Sequence, residues 1–201
     1  MHHGKLGIFY GPMRGGKSLE LVRHLHMYKP QFPERSVLVV KKYTLHISDG
    51  ACVKSRSGAT LTHDNVDLLL VVDDIAEVKK QFCTPSEPFL FVIDEAHFMP
   101  GLHEAVRHLL ALGHSVFVAG LDLNWKGQRF SDDDMLSLLT LAPEINKHCP
   151  AVCAVCTSME AVFTGKYVES SDEVIEVGDS PFAPLCRTCW EKRGEHGFKK
   201  E

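Results

Sequence analysis

The segment Gly11-Pro12-Met13-Arg14-Gly15-Gly16-Lys17-Ser18 satisfies G-x-x-x-x-G-K-[ST]. Glycines let backbone N–H groups fold round a phosphate at the start of a helix, whose dipole favours anions. In such a loop Lys17 reaches the β- and γ-phosphates of a nucleoside triphosphate such as ATP, and the Ser18 hydroxyl ligates Mg2+. The alternative, a glycine-rich turn with a surface lysine, loses weight because an apolar run precedes the loop and a helical pattern follows it. The second half of such a site is a strand ending in a carboxylate, and Phe89-Leu90-Phe91-Val92-Ile93-Asp94-Glu95 supplies one. Asp94 can hold the hydrated Mg2+, leaving Glu95 as the base toward an attacking hydroxyl or water. By itself an Asp-Glu pair after a strand is as often a solvated turn; the phosphate loop decides between the two readings.

Asp94-Glu95-Ala96-His97 also spells the helicase D-E-A-H, but helicases of that type need two lobes and 201 residues hold one. No Asn-Lys-x-Asp for guanine recognition occurs.

Cys153-Ala-Val-Cys156 and Cys186-Arg-Thr-Cys189 form a C-x2-C…C-x2-C pattern separated by the 29 residues 157–185. Two such knuckles close a tetrahedral sulfur site, and four thiolates on Zn2+ make a structural centre with no open catalytic position. Cys149 precedes a proline and reads as a core thiol, Cys52 and Cys83 as inert. The 29-residue insert is poor in core-forming runs and could not offset its ordering entropy alone. A structural zinc contributes on the order of 10 kcal/mol of apparent folding free energy. The pairs therefore anchor the base of a loop placed to act as a lid.

The elements that must position these residues read as α/β. Residues 6–10, 37–40, 68–72, 89–93 and 115–119 are apolar runs without alternation, as strands covered on both faces should be. Helical patterns lie at 18–28, 74–82, 101–112 and 132–141. Strand–helix repetition predicts a P-loop NTPase-like parallel sheet flanked by helices. Residues 42–65 resist this pattern and read as a long loop or hairpin excursion. A domain change is expected near 148, giving an ATP-binding α/β domain at 1–148 and a zinc-stapled lid with a short tail at 149–201.

Composition removes other classes. Twenty-two Lys and Arg against 26 Asp and Glu leave a net charge of −4, a poor match for a nonspecific nucleic-acid binder. No apolar run reaches the ~18 residues of a membrane span. With no secretory leader evident and seven cysteines, the expectation is a cytoplasmic metal-binding protein rather than a disulfide framework. The twelve histidines fall in no metal-binding spacing.

The ordered set of a Gly-Pro-Met phosphate loop, the Asp94-Glu95 pair, Gly120-Leu121-Asp122 and the late cysteine pairs resembles the zinc-containing thymidine kinases, over residues 4–190. The resemblance implies ATP, Mg2+ and structural Zn2+. It makes Glu95 the base that deprotonates the 5′-hydroxyl of thymidine. Met13, Phe98, Leu121 and Trp125 match the apolar thymine pocket, Trp125 standing where the family usually has Phe, and Phe130 matches the Phe that ends that segment. Thr164, after Phe163, matches a lid threonine at the base. Ile175 aligns with a lid position whose backbone bonds the pyrimidine. Ser55-Arg56-Ser57-Gly58 matches the Ser-Arg-x-Gly of bacterial members. A homotetramer and feedback inhibition by dTTP are further implications, with no nucleic acid or membrane partner. One methyl is worth only ~1–3 kcal/mol of selectivity, so deoxyuridine should also be a substrate.

The chain departs from the family at four places. The family's Asp-x-Arg aligns with Leu45-His46-Ile47, and its Gln two residues after the base is His97. Its lid Tyr is Phe182, which can pack on the sugar but lacks a hydrogen bond worth ~1 kcal/mol. The loop carries Arg14 and Gly15 where an apolar residue and Ser or Ala are usual. Two other readings stay open: a thymidine- or nucleotide-binding regulatory protein that has lost turnover, and a small zinc-containing ATPase stimulated by single-stranded nucleic acid.

Overall fold

A computed structural model describes residues 4–41, 51–54, 60–62, 66–82, 87–132, 135–167 and 181–193; at 38–41, 51–54 and 60–62 it describes the backbone alone. In chain order the strands are β1 (Leu6–Tyr10), β2 (Ser36–Lys41), β3 (Ala51–Lys54), β4 (Thr60–Thr62), β5 (Leu68–Val72), β6 (Leu90–Ile93), β7 (Ser115–Gly120), β8 (Ile145–His148), β9 (Ala161–Lys166) and β10 (Phe182–Cys186). The helices are α1 (Lys17–Tyr28), α2 (Ala76–Gln81), α3 (Leu102–Ala111) and α4 (Arg187–Glu191). Six strands form a parallel sheet in the order β5-β2-β6-β7-β1-β8.

The unalternated apolar runs of β1, β6 and β7 are explained by the two cores this sheet separates, whereas β5, at the edge, leaves Leu68 and Val71 exposed. Leu6, Ile8, Phe91, Ile93, Val116 and Val118 face one side, under α2 and α3. Phe9, Leu90, Val92, Phe117 and Ala119 face the other, under α1. Helix α3 buries Leu102, Ala105, Val106 and Leu109, the i, i+3, i+4, i+7 stripe of a helix lying on a sheet. Helix α1 covers its face with Leu21, Val22 and Leu25.

Two expectations need correction. Among its described residues the helical pattern at 132–141 yields a 3-10 turn, Ser137–Leu141, whose Leu138 plugs the α3 side of the core. Residues 145–148 form a sixth parallel strand that the apolar-run criterion did not predict, because this edge strand pairs with β1 alone. Within the excursion at 42–65, β3 and β4 pair as an antiparallel hairpin. The Ser55-Arg56-Ser57-Gly58 and Leu45-His46-Ile47 alignments lie outside the described residues, as does Ile175.

Beyond β8 a separate small core of Ala151, Cys153, Ala161, Ala183, Leu185 and Cys186 holds the antiparallel β9–β10 ribbon and α4. Among the described residues no helix is long and apolar enough to cross a membrane.

Candidate active site

The carboxyl ends of β1, β7 and β6 lie side by side, and each delivers polar residues to one crevice. Ligands of open α/β sheets bind at this edge. After β1 the chain turns through the phosphate loop into α1, entering the helix at Gly16 in the left-handed region (φ 81°). The floor of the loop is Cys149: its N–H donates to the Tyr10 carbonyl at 2.7 Å. A Cβ on Gly15 would stand 2.0 Å from the Cys149 carbonyl oxygen. Glycine at 15, where the family has Ser or Ala, is thus required by this close approach.

Lys17 Nζ donates to the Pro12 carbonyl at 2.7 Å, folding back over the loop it would vacate for a phosphate. Burial lowers its pKa, opposed by the charges of Glu95, Asp94 and Asp122. The Ser18 hydroxyl lies 3.2 and 3.3 Å from the two carboxylate oxygens of Asp94. Burial, and then the adjacent Glu95 charge, raises Asp94 to about 7. A site whose carboxylate resists ionisation is short of positive charge, and the hydroxyl–carboxylate pair is the oxygen donor set that Mg2+ accepts. Asp94 and Ser18 therefore fit that ion.

Glu95 adopts φ 49°, ψ 37°, a left-handed conformation costing a non-glycine residue roughly 1–2 kcal/mol. The strained turn leads into the 3-10 segment Ala96–Phe98, while the Glu95 side chain remains 44% exposed. Strain at a polar residue beside a phosphate loop points to a functional constraint.

His97 is buried behind Glu95. The Leu121 N–H donates to its Nδ1 at 3.1 Å, and burial together with the Lys17 charge keeps its pKa well below the usual value. The 3.6 Å approach of Nδ1 to Glu95 Oε2 is therefore two acceptors in contact rather than an ion pair.

The expected pocket residues among the described ones are held by separate contacts. The Phe98 and Phe130 rings lie 6.1 Å apart, and Phe130 lies 4.7 Å from the His97 ring. The Met13 N–H donates to Thr164 Oγ1 at 3.1 Å, joining β9 to the phosphate loop. Trp125 and Phe182 are both buried and share the Lys166 ammonium, 5.3 and 5.7 Å from their ring centroids. Leu121 is tied in by its bond to His97.

Two further buried charged residues, Lys166 and Asp122, have no role that the sequence motifs assign. Lys166 is 1% exposed; no periodicity argument places a lysine there. Asp122 is legible in retrospect, because it follows β7 at the crevice edge. Burial raises its pKa against the pull of His148, 3.7 Å away, and of Lys17.

The four cysteine sulfurs of Cys153, Cys156, Cys186 and Cys189 lie within 4.8 Å of one another, with Cys156 and Cys186 at 3.6 Å. Zn–S bonds of about 2.3 Å in a tetrahedron require S···S near about 3.8 Å. Burial opposes ionisation of Cys153, but backbone N–H groups of Cys156, Cys186 and Val155 overcome it and lower the thiol to about 6. Cys189 is pushed up to about 12 by desolvation and by hydrogen bonds with the other three thiols. Four crowded sulfurs that cannot all ionise without a cation fit a thiolate-bound metal.

Fold and site together define a nucleotide-binding α/β protein with a phosphate loop, a carboxylate pair and a four-cysteine module. The sequence model of the family described as thymidine kinase matches residues 4–190, and the chain belongs to that family. Relatives include thymidine kinases of Pseudothermotoga lettingae, 31% identical with 94% of this chain and 96% of the relative covered, and of Bacteroides thetaiotaomicron, 29% identical with 98% and 92% covered. Thymidine kinase 1 of Dictyostelium discoideum is 28% identical, with 96% and 81% covered. Membership makes the chain a kinase that phosphorylates thymidine in salvage, with the ATP and Mg2+ requirement of its family.

Proposed function

We propose that the chain transfers the γ-phosphate of ATP to the 5′-hydroxyl of thymidine, and of deoxyuridine, through the residues gathered at this crevice. The observation that carries the assignment is the meeting of Ser18 with Asp94 at 3.2 Å, with Glu95 on the adjoining strained turn. The loop N–H groups and the α1 amino terminus bind the phosphates. Lys17 leaves the Pro12 carbonyl and follows the charge that spreads over the transferring group. Ser18 and Asp94 would hold the Mg2+, which supplies charge neutralisation of the phosphates. Glu95, exposed enough to reach substrate, takes the 5′-proton as the oxygen attacks phosphorus in line. Met13, Phe98, Leu121, Trp125 and Phe130, with Thr164, Ile175 and Phe182 of the lid, are the residues the family resemblance assigns to the nucleoside.

On the same reading the chain divides near residue 148, and Cys153, Cys156, Cys186 and Cys189 hold a structural Zn2+ that ties the lid to the α/β domain. A cytoplasmic homotetramer inhibited by dTTP is the form the family resemblance implies. The decisive test of the chemical role is Glu95→Gln. It should lower kcat for thymidine by about 10²–10⁴ while ATP binding, followed by calorimetry, is retained. Turnover equal to that of the unmodified enzyme would remove Glu95 from the role of base.

A further inference from the structure

Four buried side-chain nitrogens among the described residues have no hydrogen-bond partner: His97 Nε2, His114 Nε2, Trp190 Nε1 and Arg193 Nε. His114 lies at the other end of the sheet, before β7, and Trp190 and Arg193 belong to the cysteine module. His97 alone stands beside the candidate base.

The tautomer of His97 follows from its surroundings. Leu121 donates its N–H to Nδ1, so Nδ1 carries no proton and Nε2 carries one. A ring held neutral by burial, and by the Lys17 charge nearby, does not gain a second proton near neutral pH. The result is one N–H donor, fixed in direction by the Leu121 bond and flanked by the Phe98 and Phe130 rings at 3.9 and 4.7 Å. A buried donor without an acceptor is a desolvation penalty with no compensation, unless a ligand brings the acceptor.

We propose that His97 is a specificity-determining residue whose Nε2–H donates a hydrogen bond to a carbonyl oxygen of the bound pyrimidine. The inference rests on the reading of Phe98 and Phe130 as walls of the nucleoside pocket. A pyrimidine dione presents carbonyl oxygens at C2 and C4, acceptors to which the Phe98 and Phe130 rings offer no donor. The Leu121 bond gives the ring its orientation; the Nε2–H would read the substrate.

Two amide substitutions separate these roles. Asparagine at 97 can place its oxygen where Nδ1 accepts from Leu121 but has no donor at the Nε2 position. Glutamine reaches the Nε2 position with an amide N–H and gives up the Leu121 bond. His97→Asn should raise the thymidine KM about tenfold, the loss of one hydrogen bond to a neutral acceptor. Its kcat should stay within about twofold and its KM for ATP should not change. His97→Gln should stay within about threefold of the unmodified enzyme in thymidine KM. With 2-thiothymidine and 4-thiothymidine, whose thiocarbonyls accept poorly, one analogue should bind the unmodified enzyme less well than the other, and His97→Asn should erase the difference.

An unchanged thymidine KM in His97→Asn overturns the proposal. So does a His97→Gln enzyme worse than His97→Asn, since the Leu121 bond would then be what matters. Equal penalties for both thio analogues in both enzymes overturn the carbonyl as acceptor. Phe98→Ala tests the pocket itself. A thymidine KM that moves in His97→Asn but not in Phe98→Ala refutes the wall and keeps the donor; the reverse keeps the wall and refutes the donor.

Discussion

Replacing Asp94 by Asn should stabilise the ligand-free protein above neutral pH while ending its catalysis. The carboxyl sits at about 7 in the folded protein against an ordinary value of 3.8, from burial and from the Glu95 charge beside it. A folded-state value above the unfolded one means that the native protein holds this proton more tightly. The stability associated with the neutral carboxyl is complete below about pH 4 and is lost as pH rises to about 7. The gap between 3.8 and about 7, at about 1.4 kcal/mol per pH unit, sets a ceiling near about 4 kcal/mol. About half of that ceiling, ~2 kcal/mol, accrues between about pH 5.5 and about pH 8.5. Asparagine keeps an oxygen to accept from Ser18 and never ionises, so it escapes this cost.

The assay is thermal unfolding of the protein free of Mg2+ and nucleotide, its cysteine-site metal left in place, across that pH range, variant against unmodified chain. A domain of this size moves by about 2–4 °C in Tm per kcal/mol, so the difference should widen by up to about 4–8 °C toward alkaline pH. Zinc, cysteines and distant carboxylates act on both proteins and cancel in the difference. Mg2+ and ATP should reverse the order, stabilising only the unmodified chain by mass action. A variant less stable at every pH, or a difference that does not change with pH, would refute the reasoning.

Two further outcomes follow from the cysteine module. Purified protein should carry about one zinc per chain by elemental analysis, and a chelator strong enough to remove it should lower Tm and expose the 149–193 segment to protease; metal-free protein of unchanged Tm would remove zinc from the fold. Gly127→Ala should lower Tm by about 5–10 °C, from about 2–3 kcal/mol of combined strain and displacement: Gly127 has φ +77°, and a Cβ there would stand 2.6 Å from the Trp190 ring.

What the sequence made legible was whatever depends on local spacing. The phosphate loop is legible because its glycines and Lys17 must be contiguous, and the four-cysteine cluster because two knuckles need fixed two-residue gaps. The parallel sheet is legible because β6 and residues 116–119 of β7 are buried on both faces and so are apolar. Strand β8 failed the same criterion: its Asn146 and Lys147 are exposed at an edge, and its strand character comes from pairing with β1. Residues 132–141 failed because Met135 and Leu138 reach the core from a turn, giving an apolar spacing that mimics a helix. Lys166 was invisible for a different reason. Lysine is almost never fully buried without compensation, and here two aromatic faces from separate segments help supply it. The Leu121–His97 bond likewise joins residues 24 apart and leaves no local trace.

The contacts of the cysteine module suggest why a structural metal belongs next to a nucleotide site. A two-stranded ribbon is marginal by itself, and the six buried residues of its core add little. Yet β9 carries Thr164, which holds the Met13 N–H of the phosphate loop, and Lys166, which lies against Trp125. From α4, Trp190 stacks on Phe163 at 4.4 Å and closes on Gly127 in the loop that also bears Trp125 and Phe130. Order in the ribbon is thus passed to two loops that, on the proposed reading, hold phosphate and nucleoside respectively. A module fixed only by its own packing would open on the timescale of local unfolding and release both loops. Four sulfurs closed on one cation would raise that opening cost without adding a larger core.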